Sequence, residues 1–354
     1  MRSASSNETN PVGHYDWRQS YDWNYVNASD PVATAEPVVS GSWYFCDLPV
    51  ASPLGIAAGP LLNGRWILYY ASLGFDVLTY KTVRSRHRES FPMPNLQPVK
   101  ICDFHGEQGS VAANSVMEGS WAVSFGMPSK SPDVWRADVE ATRRALPRNK
   151  TLSVSVVATP EDNWTINDVA EDFARCAKWA VESGADCVEA NFSCPNVASA
   201  DGQLYQHPDA AGTVAARLRD AVGSKPLLVK IGHVTDEVAA TSLCHALAPH
   251  ADALVMVNCI AATVVDENQS PLFNGERRGI GGRAIRNAVL DQVRLFSQVI
   301  RRNSLKLKLV GVGGIETAAD VRAHLDAGSH AVQLATAAML DPLVGIKIRE
   351  QLRH

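Results

Sequence analysis

One cysteine lies in a short motif whose residue types point directly to proton-transfer chemistry. Residues 191 to 196 read Asn-Phe-Ser-Cys-Pro-Asn, at the end of a β-forming run. The proline restricts the backbone next to Cys194, and an amide residue stands at each end of the motif. A thiol held on such a loop can take up or release a proton during a reaction. We therefore predict a catalytic acid or base at Cys194, although most cysteines are small buried apolar residues.

Polar residues end four otherwise apolar runs of the sequence. Lys81 ends VLTYK, Asn191 ends CVEAN, Lys230 ends LLVK and Asn258 ends ALVMVN. If these runs are strands of one barrel, their carboxyl ends meet at a single mouth. Two ammonium groups and two amides at that mouth suit an anionic or carbonyl-rich ligand.

Two segments near the carboxyl terminus predict a phosphate site. Residues 311 to 315 read GVGGI, and residues 334 to 336 read Leu-Ala-Thr at the end of the last β-forming run. The corresponding loops of many barrels bind phosphate through backbone N–H groups. A dinucleotide-binding alternative rests on GIGGRA at 279 to 284, but GERR precedes it where that motif requires a strand. The barrel interpretation is therefore favoured.

The elements that would position these residues alternate between β-rich and helical segments. This order predicts a parallel sheet covered by helices, and eight β-rich runs predict a (β/α)8 barrel. The predicted strands are Pro53 to Ala58, Val77 to Thr82, Leu152 to Ala158, Cys187 to Ser193, Leu227 to Ile231, Ala253 to Asn258, Leu307 to Val312 and Ala331 to Thr336. The predicted helices include Ile166 to Ser183, Thr235 to Leu247, Ile285 to Arg302 and Ala318 to Ala327.

The domain organisation that we predict is one barrel with an extension and two insertions. Residues 1–49 form the N-terminal extension, which contains two Tyr-Asp-Trp units, and residues 50–354 form the barrel. Insertions at about 83–151 and 259–282 follow the carboxyl ends of strands, where the active sites of barrels are built. We expect these insertions to form a lid.

Composition excludes several classes of function. A net charge of −4 over 354 residues provides no basic stripe for nucleic acid. The chain shows neither a secretory signal nor an apolar run of about 20 residues. We therefore expect a cytoplasmic location and no membrane partner. Seven cysteines show no regular pairing pattern, and no histidine shows metal-ligand spacing with a carboxylate. A small molecule is the expected partner, with no metal.

Over about residues 50 to 350 the sequence resembles the dihydroorotate dehydrogenase family. The resemblance rests on short motifs in a fixed order: GIAAG (55 to 59), YKT (80 to 82), NFSCPN (191 to 196), VK (229 to 230), VN (257 to 258), GIGG (279 to 282), GVGGI (311 to 315) and QLATA (333 to 337). It implies a flavoenzyme with FMN as the cofactor and a small ring as the substrate. The implied reaction desaturates dihydroorotate, or a closely related ring, to leave a C=C bond.

The resemblance also implies roles for individual positions. Cys194 and Lys81 are the catalytic residues that it implies. The implied cofactor-binding residues are Ala57, Ala58, Gly59, Lys81, Thr82, Asn191, Lys230, Asn258, Gly281, Gly282, Gly313, Gly314, Ala335 and Thr336. The implied substrate-binding residues are Lys81, Phe125, Gly126, Met127, Asn191, Asn196, Asn258 and Cys259. The amides would pair with the alternating C=O and N–H groups of a pyrimidine ring.

Two motifs give different indications of the class within the family. The cytosolic class has cysteine where Cys194 stands and the membrane-associated class has serine, whereas GIAAG at 55 to 59 is more similar to the membrane-associated class. The substrate loop of the family begins and ends with asparagine, but the matching stretch here begins with Val123 and ends with Ser129. If the loop carries an insertion, Asn114 is instead the equivalent of the first asparagine. Loss of a buried donor costs about 1–3 kcal/mol, enough to change the preferred ring.

Several alternatives remain open at this point. The flavin could serve a different ring substrate, for example a dihydropyrimidine without the carboxylate, or the chain could be a non-catalytic flavin-binding relative. The electron acceptor is open between fumarate, an electron-transfer partner that links the flavin to NAD, and oxygen. A homodimer is common in the cytosolic class. Three arginines follow the second predicted strand: Arg84, Arg86 and Arg88. We favour the interpretation that they lie in a solvated segment over the alternative that they bind an anion.

Overall fold

A closed barrel of eight parallel strands forms the body of the protein, in a computed structural model that describes residues 13–193 and 200–353. The strands are β1 (Trp43–Phe45), β2 (Leu48–Val50), β3 (Leu54–Ile56), β4 (Val77–Val83), β5 (Leu96–Pro98), β6 (Ser110–Ala112), β7 (Ser120–Val123), β8 (Thr151–Val156), β9 (Cys187–Asn191), β10 (Leu227–Lys230), β11 (Ala253–Met256), β12 (Ile260–Val265), β13 (Arg278–Gly282), β14 (Lys308–Val312) and β15 (Ala331–Leu334). The α-helices are α1 (Tyr21–Val26), α2 (Gly64–Ala71), α3 (Pro132–Ala145), α4 (Ile166–Glu182), α5 (Pro208–Val222), α6 (Glu237–Leu247), α7 (Arg286–Arg302), α8 (Ala318–Ala327), α9 (Thr336–Leu340) and α10 (Val344–Gln351).

The barrel order confirms the predicted fold. Strands β3, β4, β8, β9, β10, β11, β14 and β15 pair in that order, and β15 closes onto β3. Each of these strands lies within the predicted run or extends it by one residue. Every residue of β4 and β8 is buried, because the barrel interior covers one face of each strand and the helical layer covers the other.

Local sequence signals set the ends of two of the covering helices. Thr165 and Thr317 cap α4 and α8, and in each case an aspartate three residues later completes a capping box. Helix α8 ends at Gly328, whose φ of 116° is readily accessible only to glycine. The predicted start and stop of this helix are therefore those observed.

A short hairpin closes the amino-terminal end of the barrel. Strands β1 and β2 pair antiparallel, and Phe45 and Cys46 pack with inward-facing residues of the barrel strands. These contacts include Val77 and Ala331, the first residues of β4 and β15. With this end filled, the opposite, carboxyl end remains for a ligand.

Strands from both predicted insertions form one additional five-stranded sheet. Its order is β5-β7-β13-β12-β6, so the two strands from the segment after β11 lie between strands from the segment after β4. Gly281 on β13 pairs with Trp121 on β7. Helix α3, which also lies within residues 83–151, instead packs on α2, α4 and β4 as a helix of the barrel.

No helix in the described part of the chain is both long enough and apolar enough to cross a membrane.

Candidate active site

A deep cleft opens at the carboxyl ends of the barrel strands. It has a volume of about 1140 Å³, including the part that is open to solvent. Barrel loops form its floor, and residues of β5, β7 and β13 form a wall that rises from the five-stranded sheet. A concave site with mostly apolar walls and a few convergent polar groups is typical of a small-molecule or cofactor site.

The four polar residues predicted from strand ends lie together in this cleft. Lys81, Asn191, Lys230 and Asn258 all line it. Asn258 Nδ2 donates a hydrogen bond to Asn191 Oδ1 at 3.2 Å and another to the Ser193 carbonyl oxygen. The Ser193 backbone N–H donates to the same Asn191 oxygen at 3.2 Å. The two amides are therefore held against each other where their strands end.

Lys81 lies against aromatic rings at the mouth of the cleft. Its Nζ is 4.5 Å from the centre of the Phe125 ring and 5.8 Å from that of Tyr21. Only 8% of the residue is exposed. An ammonium group over ring faces gains cation–π attraction.

A buried carboxylate accompanies the second lysine. Glu189, on β9, lines the cleft and has no exposed surface, and its Oε1 lies 4.0 Å from Lys230 Nζ. Within the described residues, neither carboxylate oxygen accepts a hydrogen bond of ordinary geometry. Burial raises the pKa of Glu189, and the positive charge of Lys230 opposes that shift.

The glycine loops form the other end of the cleft. Gly314 has a φ of 71°, and a Cβ there would lie 2.4 Å from the side chain of Arg286. Arg286 donates from Nε to the Gly314 carbonyl oxygen at 2.7 Å and pairs with Glu316. Arg283 lines the cleft beside this loop and also pairs with Glu316. A closely approaching glycine backbone with an arginine beside it in the cleft is a feature of a phosphate site.

The cleft brings together every residue predicted to bind the cofactor. Among the predicted substrate residues, Phe125, Met127 and Cys259 also line it, whereas Gly126 does not. Cys194 and Asn196 lie outside the described residues. Their roles remain predictions.

The two positions of the substrate loop that differ from the family, Val123 and Ser129, lie in different surroundings. Val123 lines the cleft, but Ser129 does not. Ser129 Oγ instead accepts a hydrogen bond from the Arg84 backbone N–H at 3.1 Å and donates to the Lys130 carbonyl oxygen at 2.9 Å. Asn114 also lies outside the cleft, where its Oδ1 accepts from the Val116 backbone N–H.

The interpretation of Arg84 as part of a solvated segment is wrong. Arg84 has no exposed surface. Its Nε donates to the Met127 carbonyl oxygen at 3.0 Å, and its Nη1 donates to the Ala158 carbonyl oxygen. The side chain thus joins the substrate loop to the end of the third barrel strand. Arg86 is exposed and pairs with Glu161, as a solvated residue would.

Several residues of the cleft were not predicted from the sequence. Glu189, Gln333, Trp121 and Arg283 all line it. The alternation of strand side chains would have found Glu189, since it lies two residues before Asn191 on the same face of β9. Trp121 faces the cleft only because β7 pairs with β13, for which the local sequence carries no signal.

Comparison with protein families decides what kind of protein has this cleft. A family model described as dihydroorotate dehydrogenase matches residues 42–354. The chain belongs to the dihydroorotate dehydrogenase family. The predicted family is therefore confirmed, while the class within the family stays a prediction.

Curated members of the dihydroorotate dehydrogenase family align over different lengths. The dihydroorotate dehydrogenase of Dictyostelium discoideum is 31% identical over 321 residues, which are 86% of this chain and 86% of that protein. The catalytic subunit of dihydroorotate dehydrogenase B (NAD+) from Solidesulfovibrio magneticus is 33% identical over 186 residues, 52% of this chain and 58% of the subunit. A crystal structure of Eimeria tenella DHODH in complex with ferulenol has a TM-score of 0.72 at 19% identity, covering 94% of this chain and 88% of that one. This last likeness shows the fold.

Dihydroorotate dehydrogenases use FMN, and the residues of this cleft fit it. Gln333 Oε1 is a buried acceptor in the cleft without a hydrogen-bond partner among the described residues, and Glu189 places a buried carboxyl group there as well. The flavin ring and its ribityl chain offer N–H and O–H donors to such groups. The two lysines lie among the strand ends suited to the ring, and the glycine loops with Arg283 suit the phosphate.

Proposed function

We propose that this chain oxidises dihydroorotate to orotate with bound FMN. The observation that supports this proposal most is the meeting of Lys81, Asn191, Lys230 and Asn258, from four strands, in one cleft of a dihydroorotate dehydrogenase. FMN supplies the hydride acceptor when it is bound. The remaining chemistry is binding, orientation and the movement of one proton.

The residues of the cleft divide these tasks in the proposed mechanism. Asn191 and Asn258 hold the ring substrate, assisted by Asn196. Lys81 binds an anionic or carbonyl group at the mouth, and Lys230 offsets negative charge as the reaction proceeds. Cys194 removes a proton from the carbon next to a ring carbonyl while the neighbouring C–H bond gives up its hydride. The substrate thereby loses one proton and one hydride and gains a C=C bond.

The proposed cover of the site is the five-stranded sheet from the segments after β4 and β11. Three of its strands already line the cleft, so closure there would exclude water from the reacting ring. The proposal keeps the boundaries predicted above, with the barrel at 50–354 and the extension at 1–49.

A direct test follows dihydroorotate oxidation in the absence of oxygen. The FMN-loaded protein is mixed with dihydroorotate while the visible flavin band is recorded. Rapid bleaching that Cys194→Ala and Cys194→Ser both slow would support the reaction and its base. A protein that does not take up FMN would overturn the proposal.

A different ring substrate is the second candidate, favoured by one observation. Val123 presents an apolar side chain to the cleft where an amide would be available to the substrate. If the loaded protein binds FMN but stays oxidised with dihydroorotate, other dihydropyrimidines become the substrates to screen.

The electron acceptor, the oligomeric state and the cellular location of the enzyme are also proposals. Because several relatives are named as catalytic subunits of an NAD+-dependent enzyme, we favour an electron-transfer partner that connects the flavin to NAD over fumarate or oxygen. Reoxidation of the bleached flavin by each acceptor distinguishes them. A homodimer and a cytoplasmic location are checked by light scattering and by cell fractionation.

A further inference from the structure

The segment from residue 13 to residue 28, here called the arm, is docked on the barrel through its two Tyr-Asp-Trp units. Tyr15 and Tyr21, the first residues of the units, are 1% and 3% exposed. Asn24 is also buried, and its Nδ2 donates to the Asp16 carbonyl oxygen at 2.9 Å, which ties the two units together. The doubled sequence therefore marks two separate anchors of one segment.

The two tyrosines anchor the arm to different parts of the molecule. The Tyr15 ring lies 6.0 Å from the Trp66 ring, on helix α2 of the barrel wall. The Tyr21 ring lies 6.1 Å from the Phe125 ring, in an edge-to-face arrangement of 67°. Since Phe125 lines the cleft, only the second anchor reaches the active site.

A buried amide joins the second anchor to the substrate loop. Asn95, which is 1% exposed, accepts a hydrogen bond at Oδ1 from the Tyr21 backbone N–H at 2.8 Å. Its Nδ2 donates to the carbonyl oxygens of Phe91 and Ser124, at 2.9 and 3.1 Å. The arm and the residue before Phe125 thus share one side chain.

The contact continues to a charged residue of the cleft. Tyr21, Phe125 and Lys81 contact one another, since Lys81 Nζ is 4.5 Å from the Phe125 ring centre and 5.8 Å from the Tyr21 ring centre. Next to Tyr21, Asp22 pairs with Lys130 at 2.9 Å, beyond the end of the loop. The arm therefore contacts Phe125 directly, Ser124 through Asn95, and Lys130 just after the loop.

We propose that Tyr21 is a positioning residue: it holds Phe125 against Lys81, and through this contact the arm sets the affinity of the site for its ring substrate. The inference rests on the proposed function for the identity of the substrate. The contacts that carry it are those of the arm with the loop. Without the ring of Tyr21, Phe125 and Lys81 both lose an aromatic neighbour, and the loop populates more arrangements.

The chain offers a matched control, since Tyr15 is an equally buried tyrosine of the same arm that does not contact the loop. Tyr21→Ala is expected to raise KM for dihydroorotate by about three- to tenfold, the size of one aromatic pair contact, with kcat and FMN content close to wild type. Tyr15→Ala is expected to lower thermal stability without changing KM. Tyr21→Phe, which keeps the ring, is expected to behave as wild type.

A measurement without substrate separates this inference from the proposed reaction. Hydrogen–deuterium exchange over residues 120–129 should quicken in Tyr21→Ala and stay at the wild-type rate in Tyr15→Ala, whatever ring the enzyme oxidises. Equal exchange and equal KM in the two alanine variants would overturn the positioning role. Failure of dihydroorotate to bleach the wild-type flavin, with the exchange difference intact, would contradict only the proposed substrate.

Discussion

Lys230 Nζ lies 4.0 Å from Glu189 Oε1 on the floor of the cleft, and both residues are buried. The two side chains come from adjacent strands, β9 and β10, which pair in parallel. Burial raises the pKa of the Glu189 carboxyl group, whereas the lysine stabilises its ionised form. When both groups are ionised, Glu189 reduces the effect of Lys230 on a bound anion, because the two charges partly cancel.

Replacement of Glu189 with glutamine should therefore change the redox properties of the loaded protein. In Glu189→Gln no carboxylate offsets the ammonium, and uncompensated positive charge favours the reduced, anionic flavin. The midpoint potential should rise by about 30 mV, equivalent to roughly 1.4 kcal/mol for a two-electron couple. A reductive titration against a reference dye measures this shift.

Glu316→Gln is the control for that experiment, since Glu316 lines the other end of the cleft and pairs with arginines. It should leave the potential near the wild-type value. An unchanged potential in Glu189→Gln would mean that the carboxyl group is already protonated beside Lys230.

The sequence predicts the barrel well because its strands are short, largely apolar runs, four of which have a polar residue at or near the carboxyl end. Lys81, Asn191, Lys230 and Asn258 converge for that reason alone. The added sheet is harder to predict: β6 has three residues and pairs with β12, far along the chain. Contacts of the arm are equally non-local, since Tyr21 bonds to Asn95, 74 residues away.

Val123→Asn should strengthen binding of dihydroorotate if that is the substrate. Val123 lines the cleft, so an amide there can donate to a polar group of the ring. One net hydrogen bond is worth about 1 kcal/mol, so KM should fall about fivefold in steady-state assays. Ser129→Ala is the control, because Ser129 bonds to backbone outside the cleft and should affect stability more than KM. A rise in KM with Val123→Asn would contradict this prediction and favour a different ring substrate.

Arg84→Met should destabilise the protein by about 2–4 kcal/mol and loosen the substrate loop. It leaves the buried carbonyl oxygens of Met127 and Ala158 without their donor. Urea unfolding followed by fluorescence measures the change. Arg86→Met, in the same segment, removes an ion pair whose two side chains are 46% and 54% exposed and an exposed hydrogen bond to the Thr159 carbonyl oxygen, so it should cost less than about 1 kcal/mol. Similar losses in both variants would contradict the assigned role of Arg84.

His324 should make the protein less stable in mild acid. It lies on α8 with no exposed surface, packed so closely under β14 that a Cβ at Gly311 would be 2.2 Å from its Nδ1. Burial lowers the pKa of His324 to about 4, with Asp320 opposing the shift and Arg286 and Arg294 assisting it. The folded state therefore prefers the neutral ring.

The sign of the effect follows from proton binding. Between pH of about 6.5 and 4 the unfolded chain binds a proton at this histidine that the folded chain does not, so stability falls as the pH falls. The full effect is about 3 kcal/mol, of which about 2 kcal/mol is lost by pH 5. Urea unfolding at pH 7 and pH 5 measures it in the wild type and in His324→Gln. His324→Gln should be less stable than the wild type at pH 7. The difference between their free energies of unfolding should be about 2 kcal/mol smaller at pH 5, because glutamine does not titrate. A gap that stays constant would show that His324 is not held neutral by the fold.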